Sequence, residues 1–227
     1  MADDRTPGIQ CLLHGVPSPD HEEGSRILSA CPTVDIGGGA PRLESAFAGA
    51  ALLLAAEGFA VVRAPVGAGG RSVVTCEAEP GTLLLPPSAD EELVGLGSSR
   101  VLVIDFDARR RLLQMPSVAE RIVDQLALGA RQRREATANF ALTRHGERVR
   151  RKLLQLGRVH GHVVRDGVRI DFPVSHALLG EMIGSSRETV TRAVDELQRA
   201  GFVARSGSTY RLLAQPRAAE GDGPHTW

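Results

Sequence analysis

VSHALLGEMIGSSRETVTRAVDELQRAGFV, residues Val174–Val203, decides how this chain is read. Two short helical patterns meet at a glycine. Ser175 is placed to cap a first helix whose Ala177, Leu178, Met182 and Ile183 share one face. Gly184 suits the left-handed geometry that ends such a helix. Ser186 is a good N-cap for a second helix, in which Val190, Val194 and Leu197 recur at i, i+4 and i+7 as the stripe to be buried. Glu188, Thr191, Arg192, Asp195 and Arg199 fall opposite that stripe, with Arg187 at its edge in the first turn. A guanidinium there can fork onto O6 and N7 of guanine, and a carboxylate can accept from N4 of cytosine. Gly201 ends the second helix. Phe202 to Arg205 and Thr209 to Leu213 then read as strands joined by Ser206-Gly207-Ser208, a wing-like hairpin.

Charge is distributed to match. The 227 residues carry 27 Lys plus Arg and 27 Asp plus Glu, and a net charge of zero argues at first against a nucleic-acid partner. Residues 1–99, however, hold 5 Arg and 13 acids, a net of −8, and residues 100–227 hold 22 Lys plus Arg and 14 acids, a net of +8. An acidic half joined to a basic half is expected of a sensor attached to a DNA reader. The length suffices for two modest domains with real cores.

The first 45 residues, rich in Gly, Pro, Ser and charge, are expected to be a variable and partly mobile segment. Residues 46–116 change character. Ala50 to Leu54, Phe59 to Arg63, Ser72 to Glu77, Leu83 to Leu85 and Val101 to Phe106 read as short strands punctuated by turns at Glu57-Gly58, Gly67 to Gly70 and Glu79-Pro80-Gly81. That pattern suggests an antiparallel roll or barrel. Pro116-Ser117-Val118-Ala119-Glu120 reads as a capping box opening a long helix over 117–142. In heptads, Ala119, Leu126, Arg133 and Phe140 share a seam with Ile122, Gly129 and Ala136, the small residues allowing close approach. The spacing next predicts a helix from His145 to Leu156 with Val149, Leu153 and Leu156 inward and Arg148, Arg150, Arg151 and Lys152 mostly solvated. Arg165-Asp166-Gly167-Val168 marks a hairpin turn, so the basic domain spans 143–214, and residues 215–227 are a tail.

The region from about Ala48 to Leu213 resembles the Crp/Fnr superfamily, the cyclic AMP receptor protein and its relatives, most strongly in SSRETVTR (Ser185–Arg192). The resemblance implies an α+β fold: an N-terminal antiparallel β-roll of the cyclic-nucleotide-binding kind, a long dimerisation helix and a C-terminal winged helix-turn-helix. It implies a cytoplasmic, homodimeric, sequence-specific transcription regulator on a two-fold symmetric operator, with RNA polymerase as a candidate partner. By the family's pattern Arg187, Glu188 and Arg192 read a TGTGA-like half-site, and Ser186 and Thr189 touch phosphate. Thr191 completes the candidate DNA-binding set.

The chain departs from that pattern where members hold cyclic AMP. After the Pro80-Gly81 turn they carry a short helix, a Glu for the ribose and an Arg-Ser or Arg-Thr pair for the phosphate. Here Thr82-Leu-Leu-Leu-Pro-Pro-Ser-Ala-Asp-Glu-Glu92 follows, and two prolines would break such a helix. Cyclic AMP is therefore not expected to bind in the family's usual way, and Glu91 and Glu92 read as solvated. Arg133 is the odd seam member, since two copies near a dimer axis repel unless compensated. Either it reaches solvent or the partner's Glu135, or Arg131, Arg133 and Arg134 hold an unidentified anionic or nucleotide effector.

Other classes are weakly supported. A nucleoid-structuring protein would bind DNA without operator preference. No Gly-flanked nucleophile, metal-spaced His cluster or phosphate-binding Gly loop suggests an enzyme, and neither a catalytic residue, a metal nor a cofactor is evident. Gly37-Gly38-Gly39 reads as a linker, and His160 and His162 as part of a polar loop. Cys11, Cys31 and Cys76 are widely separated and read as inert thiols. No apolar run approaches the roughly 18 residues of a membrane span.

Overall fold

The computed structural model describes residues 6–38, 40–66, 71–140, 144–170 and 172–213, without the side chains of residues 135, 136, 139 and 140. Helices α1 (Pro7–Leu12) and α2 (Asp20–Ala30) precede β1 (Thr33–Asp35), a 3-10 turn (Glu44–Phe47), β2 (Ala50–Val66), β3 (Arg71–Ala78), β4 (Leu83–Leu84) and β5 (Glu92–Asp105). Next come α3 (Phe106–Leu113), α4 (Pro116–Phe140), α5 (His145–His160), β6 (Gly161–Val164) and β7 (Gly167–Ile170). The chain closes with α6 (His176–Ile183), α7 (Arg187–Arg199), β8 (Val203–Ser206) and β9 (Thr209–Leu213). Contacts divide it into two compact units, Met1–Thr143 with Gly180–Gly184, and Arg144–Leu179 with Ser185–Trp227.

The first unit is built on an antiparallel sheet of order β1-β5-β2-β3, with β4 paired to β2. Its central strand carries apolar residues on both faces. Leu52, Leu54 and Ala56 pack with Ile9, Leu12, Leu13, Ile27, Leu28, Leu112, Val118 and Ile122 under the helices. Leu53 and Ala55 point the other way, to Phe47, Leu84, Leu93 and Val101 inside the roll. Beyond Glu57-Gly58 the parity switches, and Ala60 and Val62 join the roll interior. Register shifts on either side of Glu57 cause the switch, because one extra residue moves all later side chains to the opposite face. Gly58 permits it: its φ is +74°, and a Cβ there would lie 2.2 Å from the Ser98 carbonyl oxygen. Ala50 to Leu54 and Phe59 to Arg63, expected as two strands, are thus one strand bent at a bulge.

Three further expectations need correction. Residues 6–45 are part of the first unit's core: Ile9, Leu12, Leu13, Ile27 and Leu28 are each at most 3% exposed, and β1 pairs with β5. Their apolar residues are few and broken up by Gly and Pro, which hid the helices. Val101 does not begin a strand, because β5 already starts at Glu92. Phe106 does not end it but opens α3, which Asp105 caps by accepting from the Ala108 amide at 2.7 Å.

The capping box at Ser117 is also not made. Helix α4 starts at Pro116, whose fixed φ suits a first helical position, and the Ser117 hydroxyl bonds the Asp20 carboxylate of α2 instead. The 25 residues of α4 extend about 37 Å. Val118 and Ile122 face the core, so Ile122 does not belong to an outward seam; among the described residues of α4, Val123, Leu126 and Leu128 are the exposed large apolar side chains. The side chains of Ala136 and Phe140 lie outside the described residues.

In the second unit Val149, Leu153 and Leu156 are buried on α5 as their spacing predicts. The helix continues to His160, whose ring stands edge-on to Phe172 at 5.2 Å, and His162 lies on β6 rather than in a loop. Lys152 is buried, not solvated, and donates to the Gln155 side chain at 3.1 Å. Strands β6, β7, β9 and β8 form an antiparallel sheet in that order, and Arg211 of β9 pairs with Asp166 in the β6–β7 turn at 2.8 Å.

The close seat of α1 on β2 is testable. A Cβ at Gly8 would meet the Ala55 carbonyl oxygen at 2.2 Å and the Ala56 Cα at 2.7 Å, so backbone must move. Gly8→Ala is expected to destabilise the protein by about 1–3 kcal/mol in chemical denaturation, the usual cost of overpacking. An unchanged midpoint would show that α1 is not part of the cooperative core.

Candidate nucleic-acid interface

The helix-turn-helix is assembled from local hydrogen bonds that the sequence spells out. Ser175 Oγ accepts from the Leu178 amide at 3.0 Å and starts α6. Gly184 ends it at φ +64°. Ser186 then caps α7, its Oγ accepting from the Thr189 amide at 3.2 Å while lying 3.0 Å from the Thr189 hydroxyl. Val190, Ala193 and Val194 are buried, and Leu197 is half-buried, so one side of α7 is anchored.

The other side carries the polar set. Arg187, Glu188 and Arg192 are exposed; Ser186, Thr189 and Thr191 are half-buried. Backbone and Ser186 hydrogen bonds hold the Glu188 carboxyl below its ordinary range, with Arg187 and Arg192 adding to the effect. Glu188 therefore stays an acceptor-only carboxylate near neutrality. Ser186 and Thr189 are already committed to the cap, and Thr191 to contacts inside the domain. Its hydroxyl donates to the Arg187 carbonyl at 2.9 Å and lies 2.8 Å from His176 Nδ1. The structure brings all six expected residues onto the first turns of one helix, with only three fully displayed.

Neighbours that sequence reading missed frame this surface. His145 Nδ1 lies 2.7 Å from Ser185 Oγ, tying the start of α5 to the turn before α7. Arg205 stands over the Tyr210 ring at 5.7 Å and Arg150 over Phe202 at 5.0 Å. Burial pushes the Tyr210 hydroxyl up to about 12, with Arg205 opposing, so it stays protonated. The His145–Ser185 and Arg150–Phe202 contacts join residues far apart in the chain, and no short-range pattern announces them, whereas Arg205 and Tyr210 are paired across the β8–β9 hairpin.

In the first unit, Arg131, Arg133 and Arg134 are exposed on α4. Burial raises the Cys76 thiol, and the charge and hydrogen bonding of Arg133 partly offset that, so Arg133 lies beside β3 of the same chain. The expected pairing with Glu135 falls outside the described side chains. No helix forms between Thr82 and Glu91. Glu91 and Glu92 are not free in solvent as expected: Glu91 accepts from the Ser88 amide and hydroxyl at 3.1 and 3.0 Å, and Glu92 pairs with Arg63 at 2.8 Å. The acids that could meet a ribose are occupied by neighbours. Among the described residues no group of His, Cys, Asp and Glu is arranged to hold a metal ion, and no helix is long and apolar enough to cross a membrane.

Fold and site together define a winged helix-turn-helix protein carrying an N-terminal β-roll. Residues 147–217 match the Crp-like helix-turn-helix domain family. The chain is 26% identical over 121 residues to a CRP-like cAMP-activated global transcriptional regulator of Mycobacterium tuberculosis, covering 53% of this chain and 54% of that protein. It is 31% identical over 96 residues to a global nitrogen regulator of Synechococcus elongatus, covering 42% and 43%. The chain spans about half the length of the curated relatives it matches. Among solved structures, the c-di-GMP-responsive global regulator CLP of Xanthomonas campestris aligns with a TM-score of 0.67 at 18% identity, covering 84% of this chain and 97% of that one. A CRP-family regulator of Thermus thermophilus aligns with a TM-score of 0.63 at 19% identity, covering 81% and 89%. The chain has the fold of these Crp/Fnr-family structures, and its C-terminal part matches the Crp-like helix-turn-helix domain.

One titration bears on the site. Burial lowers the His176 pKa from its ordinary 6.5, helped by Arg205 and Arg187 and opposed by Asp195. Above pH 6.5 folded and unfolded chains both hold a neutral ring. Below it the unfolded chain protonates first, so stability is lost as pH falls toward the folded value. His176→Asn removes the titration and keeps an N–H donor. The wild-type melting temperature should fall relative to this variant between pH 7.5 and 5.5; parallel curves would contradict the assignment.

Proposed function

We propose that the protein is a sequence-specific DNA-binding transcription regulator that acts as a homodimer on a two-fold symmetric operator. The carrying observation is the capped first turn of α7. It displays Arg187, Glu188 and Arg192 while Val190, Ala193 and Val194 hold the helix down. In this reading Arg187 and Arg192 fork onto guanines, Glu188 accepts from a cytosine, and Ser186 and Thr189 lie close to phosphate. Half-sites are spaced by about one helical turn of DNA, so that two copies of α7 enter successive major grooves on one face. The exposed stripe of Val123 and Leu126 on α4 is the surface through which two copies pair. Transcription is then altered through RNA polymerase, in the cytoplasm.

Arg187→Ala is expected to weaken operator binding by about 1–3 kcal/mol and to relax selection at one base position per half-site. Selection from random duplexes, followed by titration at two salt concentrations, measures both, and affinity should fall steeply with salt. An unchanged base preference in the variant would remove Arg187 from the reading set. Wild-type binding without any preferred sequence would favour a nucleoid-structuring role instead.

The occupied Glu91 and Glu92 and the exposed Arg131, Arg133 and Arg134 support control by an effector other than cyclic AMP. The proposed effector is an anion or nucleotide. A ligand shifts such a protein toward its DNA-competent form only by binding that form more tightly. Equilibrium binding of a nucleotide panel should identify a ligand that Arg133→Ala holds more weakly; equal affinities would eliminate the Arg cluster as its site.

A further inference from the structure

Thr191 sits on the reading side of α7, one residue before Arg192, yet its hydroxyl is already used. Thr191 Oγ1 lies 2.9 Å from the carbonyl oxygen of Arg187 and 2.8 Å from Nδ1 of His176, the first residue of α6. The carbonyl can only accept, so the single hydroxyl proton goes to it. His176 Nδ1 must then be the donor, filling an acceptor position on Oγ1. The other ring nitrogen, Nε2, is buried and meets no hydrogen-bond partner among the described residues. A charged ring would therefore bury an N–H without an acceptor, near Arg205 of β8, Arg187 of α7 and the Tyr210 ring of β9, with Asp195 of α7 as the opposing charge. The neutral Nδ1–H form is the one this pocket holds.

Helical threonine ordinarily divides between two χ1 rotamers, because its hydroxyl has the option of bonding the preceding turn. A donor on the neighbouring helix removes that freedom. It selects the rotamer in which Oγ1 points to the Arg187 carbonyl and His176. The group Thr191 has left to offer a DNA groove is its methyl.

Resting on the DNA-reading function proposed above, we propose that His176 is a positioning residue that withdraws the Thr191 hydroxyl, making Thr191 an apolar reader of a thymine 5-methyl group. Thymine is the one standard base presenting a methyl in the major groove, and a threonine methyl is a suitable partner for it. The device adds selection for T at one position per half-site beside the bases read by Arg187, Glu188 and Arg192.

The test uses the full-length protein and the duplex it selects, with each thymine replaced in turn by uracil, which removes only the methyl. One position per half-site should lose roughly fourfold in affinity, the value of one buried methyl-sized group. Thr191→Val keeps a methyl and should retain that loss; Thr191→Ser keeps the hydroxyl and should bind the thymine and uracil duplexes equally. His176→Leu, which frees the hydroxyl, should blunt the thymine preference, and His176→Asn, which supplies an amide N–H, should restore it. Thermal melts of each variant separate these effects from loss of fold. Uracil sensitivity that survives in Thr191→Ser but vanishes in Thr191→Val would overturn the inference, as would a wild type insensitive to every replacement. A wild type that selects no duplex at all would overturn the DNA-reading function as well, and so is distinguishable from failure of the thymine contact alone.

Discussion

Everything at the proposed DNA-reading surface depends on where α7 begins, and a single side-chain hydrogen bond sets that point. Ser186 Oγ accepts from the Thr189 amide, so the helix starts at Arg187 and not a residue to either side. With 3.6 residues per turn, that start fixes the direction of every later side chain. Val190, Ala193 and Val194 then face the domain interior, and Arg187, Glu188 and Arg192 face away. Moving the start by one residue would rotate the polar set by about 100° and bring a buried valine toward solvent. Burial and capping thus agree on one register, and that agreement lets long flexible side chains be aimed at all.

A different constraint governs the first unit. Its central strand has to satisfy two cores at once, one under the helices and one inside the roll. Strict alternation along one straight strand would keep each parity on one face throughout. The bulge at Glu57-Gly58 exchanges the faces midway, which lets β2 turn the corner of the roll while remaining one hydrogen-bonded strand with β5. The same crowding explains why Gly58 is a glycine: the Ser98 carbonyl occupies the space a Cβ would need. The polar groups past the Pro80-Gly81 turn are likewise closed on one another. Glu91 is held by Ser88 and Glu92 by Arg63, so the acids that follow this turn are already engaged.

What could be read from the residues alone follows the range of the interactions. Both caps of the helix-turn-helix, the glycine between its helices, the buried stripe of α7 and the inward face of α5 all arise from neighbours a few positions apart, and so leave a pattern in the sequence. The capping box at Ser117 had the right letters and failed, because Pro116 started the helix earlier and Asp20, nearly a hundred residues away, took the hydroxyl. Helices α1 and α2 escaped notice because a few leucines and isoleucines suffice when a sheet waits to cover them.

The sequence by itself determined helix α7, its polar face and the segregation of acidic from basic charge, since these depend on periodicity, capping chemistry and composition. Tertiary structure decided which polar groups remain available. The Thr191 hydroxyl and the carboxylates of Glu91 and Glu92 look free in one dimension and are engaged in three, and Lys152 looks solvated and is buried. The physical reason is that a hydrogen bond or ion pair spends its donor or acceptor on whichever group folding brings close, and chain separation says little about which group that will be.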